Sequence, residues 1–367
     1  MRASLAAACA AALVLAVPAA GAPALRAEIV GGAVHVEGKP FLPLVTWAQC
    51  AATVEETLAL GVNVFMGDSC DDPEALAAAV AGRAYLVLDY NHFDRIRHDL
   101  PGLIGWHQPD EPEAWGYLPE SLRPVEPAHA VGHLVFENFT AHFASDAAPP
   151  DRVPKSAYPA YVAKTDVVSF DLYPVAHYCP EKAGHDGITV DSVFTQQLEL
   201  VQLAAGRPTF QWIELNDLEH WCPAPTAAQV RAEIWLAVAG GARGMGYFTH
   251  GWPEGIWTHF YVAADIQAEV ARSNRELTEL APVLLSPSTS VRAQGGVRAG
   301  ARRLGNAIWV VAVNPTDEPR TATIHVPRTA GRWAVWGESR NVGRRNGAVR
   351  GHFGPYEVRV YRFNAAR

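Results

Sequence analysis

Eight short runs of β-branched and aromatic residues, spaced by stretches of quite different character, constrain this chain more than any other feature. The runs are FLPLVTW (41–47), VNVFMG (62–67), AYLVLD (84–89), LIGWHQ (103–108), HLVFENF (133–139), VVSFDLY (167–173), PTFQWIE (208–214) and RGMGYF (243–248). Between and after them lie helix-forming segments at 53–60, 73–81, 158–163, 190–204, 226–239 and 263–280. Strand and helix signals that alternate in this way are the pattern of βα units on a parallel sheet. Eight such units close a (β/α)8 TIM barrel, an α/β fold of about 250 residues. Asp71-Asp72 before Pro73 marks the start of the second helix, whereas the third and fourth carry the weakest signals. Ahead of the first strand, residues 28–40 alternate apolar and polar side chains around Gly31-Gly32 and Gly38, which reads as a hairpin covering the barrel floor.

Beyond Ala281 the helical period stops, and short alternating runs take over: AIWVVAV (307–313), TATIHV (321–326), RWAVWG (332–337) and YEVRVYRF (356–363). Asn314-Pro315 and Asn346-Gly347 supply turns between them. The expected organisation is a barrel over 28–283 followed by a small C-terminal antiparallel β-sandwich domain over 286–367.

The first residues combine Arg2, an apolar run from Leu5 to Val17 and small residues at Ala19–Ala22, the pattern of a signal peptide over 1–23 with cleavage near Gly21–Ala24. The run falls short of the roughly 20 residues that a membrane span needs, so a secreted protein, extracellular or periplasmic, is expected with no membrane partner. Cys9 would leave with that peptide, and Cys50, Cys70, Cys179 and Cys222 remain. An even number in an oxidising compartment points to two disulfides. Four cysteines allow three connectivities. In the barrel order Cys50 and Cys70 follow the first and second strands, and Cys179 and Cys222 the sixth and seventh, so each pair would join neighbouring loops. A zinc site is the alternative, but CxxC spacing is missing. The net charge of -8 and the lack of a dense Lys/Arg cluster argue against nucleic acid. No GxSxG, GxxxxGK[ST] or GxGxxG motif sits between a strand and a helix, so serine-hydrolase and nucleotide readings lack their parts.

Active sites of such barrels stand at the C-terminal ends of the strands. Those ends carry Trp47, Asp68, Asp89, Asp110-Glu111, Glu137-Asn138, Asp171 with Tyr173, Glu214, and His250 with Trp252. Carboxylates dominate, and Trp106, Trp115, Trp212, Trp221, Trp252 and Trp257 lie nearby. Together they suit sugar rings, whose apolar faces stack on aromatics while their hydroxyls bond to carboxylates. Cleaving a glycosidic bond takes two carboxyl groups, one protonated and one ionised. The pair singled out is Glu111, in GWHQPDEPE, and Glu214, which closes the seventh strand. Other roles compete: Glu111 also reads as a helix cap, Glu214 as a solvated strand end beside Asp217 and Glu219, and His107, His220 and His250 as ordinary hydrogen-bonders. Asp110 is a rival acid.

Strand four ending in an acidic residue and strand seven ending in Glu resemble glycoside hydrolase clan A, the retaining (β/α)8 families. AVHVEGKPFLPLVTW is similar to the entry segment of those barrels, VVSFDLYP to their sixth strand, YFTHGW to their eighth, and YEVRVYRF closes a sandwich like the one many of them carry. The resemblance implies Glu111 as acid/base, Glu214 as nucleophile, Tyr173 as hydrogen-bond partner of the nucleophile and Trp252 as floor of a sugar subsite. From their places at or near the strand ends, further substrate contacts are expected from Trp47, Asp68, Asp89, Trp106, His107, Asp110, Asn138, Asp171, Trp212 and His250. The clan carries Asn before its acid/base Glu, and this chain has Asp110 there. A carbohydrate substrate, no cofactor, no metal and a monomer are expected. The alternatives are a glycan-binding barrel without catalysis and a metal-dependent barrel hydrolase.

Overall fold

The computed structural model describes residues 25–145, 153–179, 187–218, 222–327, 329–343 and 348–365. The expected signal peptide, His220, Trp221, Glu219 and the Asn346-Gly347 turn lie outside them.

The chain enters through three short antiparallel strands, β1 (Ala27–Val30), β2 (Ala33–Val36) and β3 (Lys39–Phe41). The expected hairpin is therefore a three-stranded sheet, and Phe41 belongs to it rather than to the first barrel strand. Ala27, Val34 and Val36 join the interior barrel residues Val45, Val64 and Ile104 in one apolar cluster, so this sheet covers the floor.

Eight parallel strands close the barrel: β4 (Leu44–Gln49), β5 (Val64–Asp68), β6 (Tyr85–Asp89), β7 (Leu103–His107), β8 (Leu134–Thr140), β9 (Val167–Asp171), β10 (Thr209–Glu214) and β11 (Met245–Phe248), with β11 returning to β4. The helices among the described residues are α1 (Val54–Ala59), α2 (Pro73–Val80), α3 (Pro112–Trp115), α4 (Glu126–Ala130), α5 (Tyr158–Val162), α6 (Ser192–Leu203), α7 (Ala227–Gly240) and α8 (Ala264–Leu284). The Asp72 side chain accepts from Ala75 N at 2.9 Å and caps α2. Thr226 and Gln229 cap α7 reciprocally. After β6 there is only a single 3-10 turn at Tyr90–His92. The segment behind it, NHFDRIRHDLPG, offers no apolar stripe at helical spacing. Among the described residues no helix is long and apolar enough to cross a membrane.

Among the described residues the C-terminal domain has eight strands, where the sequence pattern marks four: β12 (Arg292–Gln294), β13 (Arg298–Leu304), β14 (Ala307–Val313), β15 (Arg320–His325), β16 (Thr329–Val335), β17 (Asn341–Val342), β18 (Ala348–Phe353) and β19 (Val358–Ala365). They form a sheet ordered β12-β15-β18 and another ordered β13-β14-β19-β16-β17. Ile324 and Val349 of the first meet Val310, Trp333 and Phe363 of the second in a shared core. The domain sits on α7 so closely that a Cβ at Gly300 would lie 2.1 Å from the Ala239 carbonyl oxygen. Disulfides Cys50–Cys70 and Cys179–Cys222 join the neighbouring loops, with Cα separations of 5.5 and 5.8 Å. The zinc alternative for these four cysteines falls with them.

Candidate active site

At the C-terminal end of the barrel, β7 and β9 deliver three carboxyl groups to one place. After β7 the chain reaches Asp110 and Glu111, and Glu111 adopts φ 45° and ψ 53°. A non-glycine residue in that left-handed region costs about 1 kcal/mol, and the position before Pro112 adds to the constraint. The Glu111 amide donates to Asn138 O of β8 at 3.1 Å, which fixes the turn. Although Glu111 stands at the N-terminus of α3, its side chain makes no cap hydrogen bond. It faces a cleft of about 440 Å³ instead, with Asp110, Asp171, Tyr173, Phe248 and Trp252 among its neighbours.

The electrostatics follow from burial and like charge. Burial, then the adjoining Glu111, raises Asp110 to about 6, although an Asn138 Nδ2 bond at 3.0 Å opposes the rise. Burial also raises Glu111, while a hydrogen bond from Asp171 holds it down. Asp171 is pushed well above the carboxylate range by burial, then by Glu111 and Asp110. Burial thus raises all three carboxyls, and Asp171, pushed well above its usual range, is hydrogen-bonded to Glu111. Ser169 Oγ donates to Asn138 Oδ1 at 2.9 Å and so orients the Asn138 amide toward Asp110. The Tyr173 hydroxyl bonds to Asp171, and its ring lies 5.8 Å from that of Phe248.

Glu214 keeps different company. Its Oε1 accepts from Val175 N at 2.8 Å and its Oε2 from Ala176 N at 2.7 Å, within the loop after β9. Burial raises it to about 7, and the Glu233 carboxyl of α7 stands beside it, pushed well above the glutamate range by burial and then by Glu214. Glu214 is fully buried and does not line the cleft. A second hidden carboxyl, Glu113 of α3, accepts from Thr140 N and Oγ1 at 2.7 and 2.8 Å and is raised to about 7 by burial. Glu137 is also buried, close enough to Glu113 to be raised further by it. Glu137 stands among the strand-end carboxylates that the sequence marks, whereas Glu113 and Glu233 carry no mark there, because carboxylates have no periodicity that separates a buried from a solvated position.

The remaining predicted contacts divide. Trp47, Asp68, Asp89 and His107 line a smaller hollow of about 350 Å³ on the β4–β7 side of the same barrel end. The Trp47 ring packs 5.1 Å from His107 and 5.7 Å from Trp212. Trp212 itself fills the barrel interior beneath them, bonded to Ser169 Oγ at 3.2 Å, so it supports the floor rather than meeting a ligand. Trp106 is also displaced from its expected role. One step of β6, Leu86 to Val87, pairs with the two-residue step Leu103 to Gly105 of β7, and this bulge flips the facing of the later β7 residues. His107 consequently points inward, and Trp106 lies in the outer core, bonded to His133 at 3.0 Å. His250 is buried, bonds to Ala48 O at 3.1 Å and stacks on the exposed Trp257 at 4.6 Å; burial lowers it to about 4, so it stays neutral. His142, His177 and Tyr178 also line the cleft, and no motif in the sequence marks them.

No protein-family model matches the sequence, and no curated protein does either. In fold the chain is similar to solved glycoside hydrolases. A noncanonic maltogenic alpha-amylase, AmyB from Thermotoga neapolitana, superposes with a TM-score of 0.53 at 10% identity, over 88% of this chain and 98% of that one. A GH30 endoxylanase from Clostridium papyrosolvens gives 0.48 at 12% identity over 88% and 97%. An alpha-amylase from Geobacillus thermoleovorans gives 0.47 at 11% over 89% and 99%. The likeness is one of architecture: a closed eight-stranded barrel with a C-terminal β domain.

Proposed function

We propose that this protein is a secreted glycoside hydrolase that cleaves a poly- or oligosaccharide by a retaining double displacement, with Glu111 and Asp171 as the reacting carboxyls. The observation that carries the reading is the grouping of Glu111, Asp171 and Asp110 in one cleft beside Trp252 and Tyr173, where burial raises all three carboxyls. A retaining pair stands about 5–5.5 Å apart, so the sugar must enter between the two carboxyls and break their direct hydrogen bond. Asp171 then protonates the glycosidic oxygen, which leaves as the alcohol, while Glu111 attacks the anomeric carbon and gives a glycosyl-enzyme. Asp171, now ionised, takes a proton from water, which displaces Glu111 and restores both groups. Asp110 keeps the Asp171 proton in place by its charge.

These roles differ from those implied by the clan resemblance, in which Glu111 is the acid and Glu214 the nucleophile. Glu214 has both oxygens committed to backbone amides and faces Glu233, which speaks against attack on a sugar and for a structural role. Sugar release from a panel of plant and bacterial polysaccharides and aryl glycosides tests the reading. Wild type cleaves at least one substrate with retained anomeric configuration, and Glu111→Gln and Asp171→Asn each lose about a thousandfold or more in kcat while remaining folded. Saturable glycan binding with no cleavage by the wild type would favour the non-catalytic barrel instead.

A further inference from the structure

The opposite end of the barrel holds a further cavity, of about 660 Å³, half open to solvent between the barrel floor and the C-terminal domain. It is bounded by the turn at Gly31-Gly32, by the turns that precede β10 and β11, by residues 288–291 and by β13. Three arginines line it: Arg207, Arg243 and Arg302. Their hydrogen bonds run to neutral acceptors only. Arg207 Nε donates to Thr165 O at 2.8 Å, Arg243 Nη1 to Gly31 O at 2.7 Å, and Arg302 to Ser288 Oγ at 2.8 Å and Gly241 O at 2.9 Å. Among the described residues none of the three has a carboxylate within ion-pair distance, and no acidic residue lines the cavity.

Such a wall is unusual in a chain with a net charge of -8. Arg302 is only 6% exposed, and a buried cation without a counter-ion is costly unless something neutralises it. Burial, and then the nearby Arg243, lower Arg302 to about 10, and burial lowers Arg243 as well. Burial is the leading cause of both shifts, and no carboxylate opposes either. Arg243 retains Nε and Nη2, and Arg207 both terminal nitrogens, as donors with no partner among the described residues. The hydroxyls of Thr209, Ser288 and Ser290 add neutral donors, while Phe194, Leu198 and Val201 form an apolar wall. The volume exceeds what a bare oxyanion fills and falls in the range of small-molecule sites.

We infer that this cavity binds a small organic anion of about monosaccharide size, its phosphate or carboxylate held by Arg207 and Arg243 and its body laid against Phe194 and Val201. Guanidinium forks are the side chains best matched to either oxyanion. The site lies at the N-terminal ends of the strands, so it is separate from the proposed cleavage cleft and does not depend on that reading.

Isothermal titration of the full-length mature protein with glucose 1-phosphate and with glucuronate, against glucose as the uncharged control, tests it. At least one of the two anions should bind saturably at millimolar concentration or below, and glucose should not. Which anion binds tells phosphate from carboxylate. Arg243→Gln and Arg207→Gln should each weaken binding by about tenfold or more. Because each of these two substitutions also removes a hydrogen bond that braces the floor, Ser290→Glu provides a third arm: it keeps all three arginines and places a competing carboxylate at an exposed lining position. It should abolish binding with the unfolding temperature preserved. Absence of saturable binding of both anions, or binding that survives all three substitutions, overturns the inference.

Discussion

Glu111 and Glu214 look alike in the sequence, each an acidic residue after a barrel strand, yet their surroundings differ. Glu111 is held in a strained turn with its carboxyl free to face the cleft. Glu214 is closed in by two amides and a second carboxyl. Replacing it by Gln leaves an amide NH2 facing a backbone N–H, so Glu214→Gln should lose about 1–3 kcal/mol of stability, with activity per folded molecule within about tenfold of wild type. Chemical denaturation and active-site titration separate the two effects. A pH dependence follows from Glu113, which burial raises to about 7. In the unfolded chain its carboxyl ionises near 4.5, the ordinary glutamate value. Between those two values the folded state holds a proton that the unfolded state has lost, so this stabilisation is complete below the lower value and is lost as pH rises through the higher one. Unfolding free energy should therefore fall between about pH 5 and 7 by up to about 3 kcal/mol from this group, and Glu113→Gln should flatten the curve. At the site itself, Asp110→Asn removes a charge that raises Asp171. The Asp171 proton is then lost at lower pH, and the alkaline limb of the kcat/KM profile should move down accordingly.

The elements themselves are largely legible. Each barrel strand overlaps one of the β-branched or aromatic runs, because such side chains suit a sheet buried on both faces. The helix caps at Asp72 and Thr226 follow from their residue types. The illegible elements lack a periodic signal. β13 reads RAGARRL, a strand that alternates neither cleanly nor with bulk, and it forms because β14 and α7 lie against it. The β6–β7 bulge is equally silent in sequence, and it decides that His107, not Trp106, faces the barrel interior. Parity counting on an unbroken strand cannot find it. The disulfides act on the loops these strands carry. Loops of 20 and 43 residues correspond to about 3 and about 4 kcal/mol of loop-closure entropy, so paired Cys→Ala variants should unfold at correspondingly lower denaturant, with the Cys179–Cys222 variant the weaker.

For the whole molecule, the C-terminal β domain and the barrel are joined by contacts too close to vary. Gly300 against Ala239 is the tightest, and Gly300→Ala should cost on the order of 1–3 kcal/mol or more through displacement of the C-terminal sheet from α7. A barrel truncated before β12 would expose the apolar seat on α7 and should lose solubility, which light scattering of the truncated protein would register. The division of labour across the fold is readable at the level of architecture, since strand ends make the site in any such barrel. Which carboxyl pair forms the site is not readable, because Asp171, Glu111 and Glu214 stand at equivalent strand ends and only packing distinguishes them.

The most direct measurement is the steady-state rate of sugar release by Glu111→Gln, Asp171→Asn and Glu214→Gln, compared with wild type at equal concentrations of folded protein. Loss of about a thousandfold or more in the first two, with the third largely active, is the predicted result. An active Asp171→Asn, or a folded but inactive Glu214→Gln, would contradict the assignment of Glu111 and Asp171 as the reacting pair.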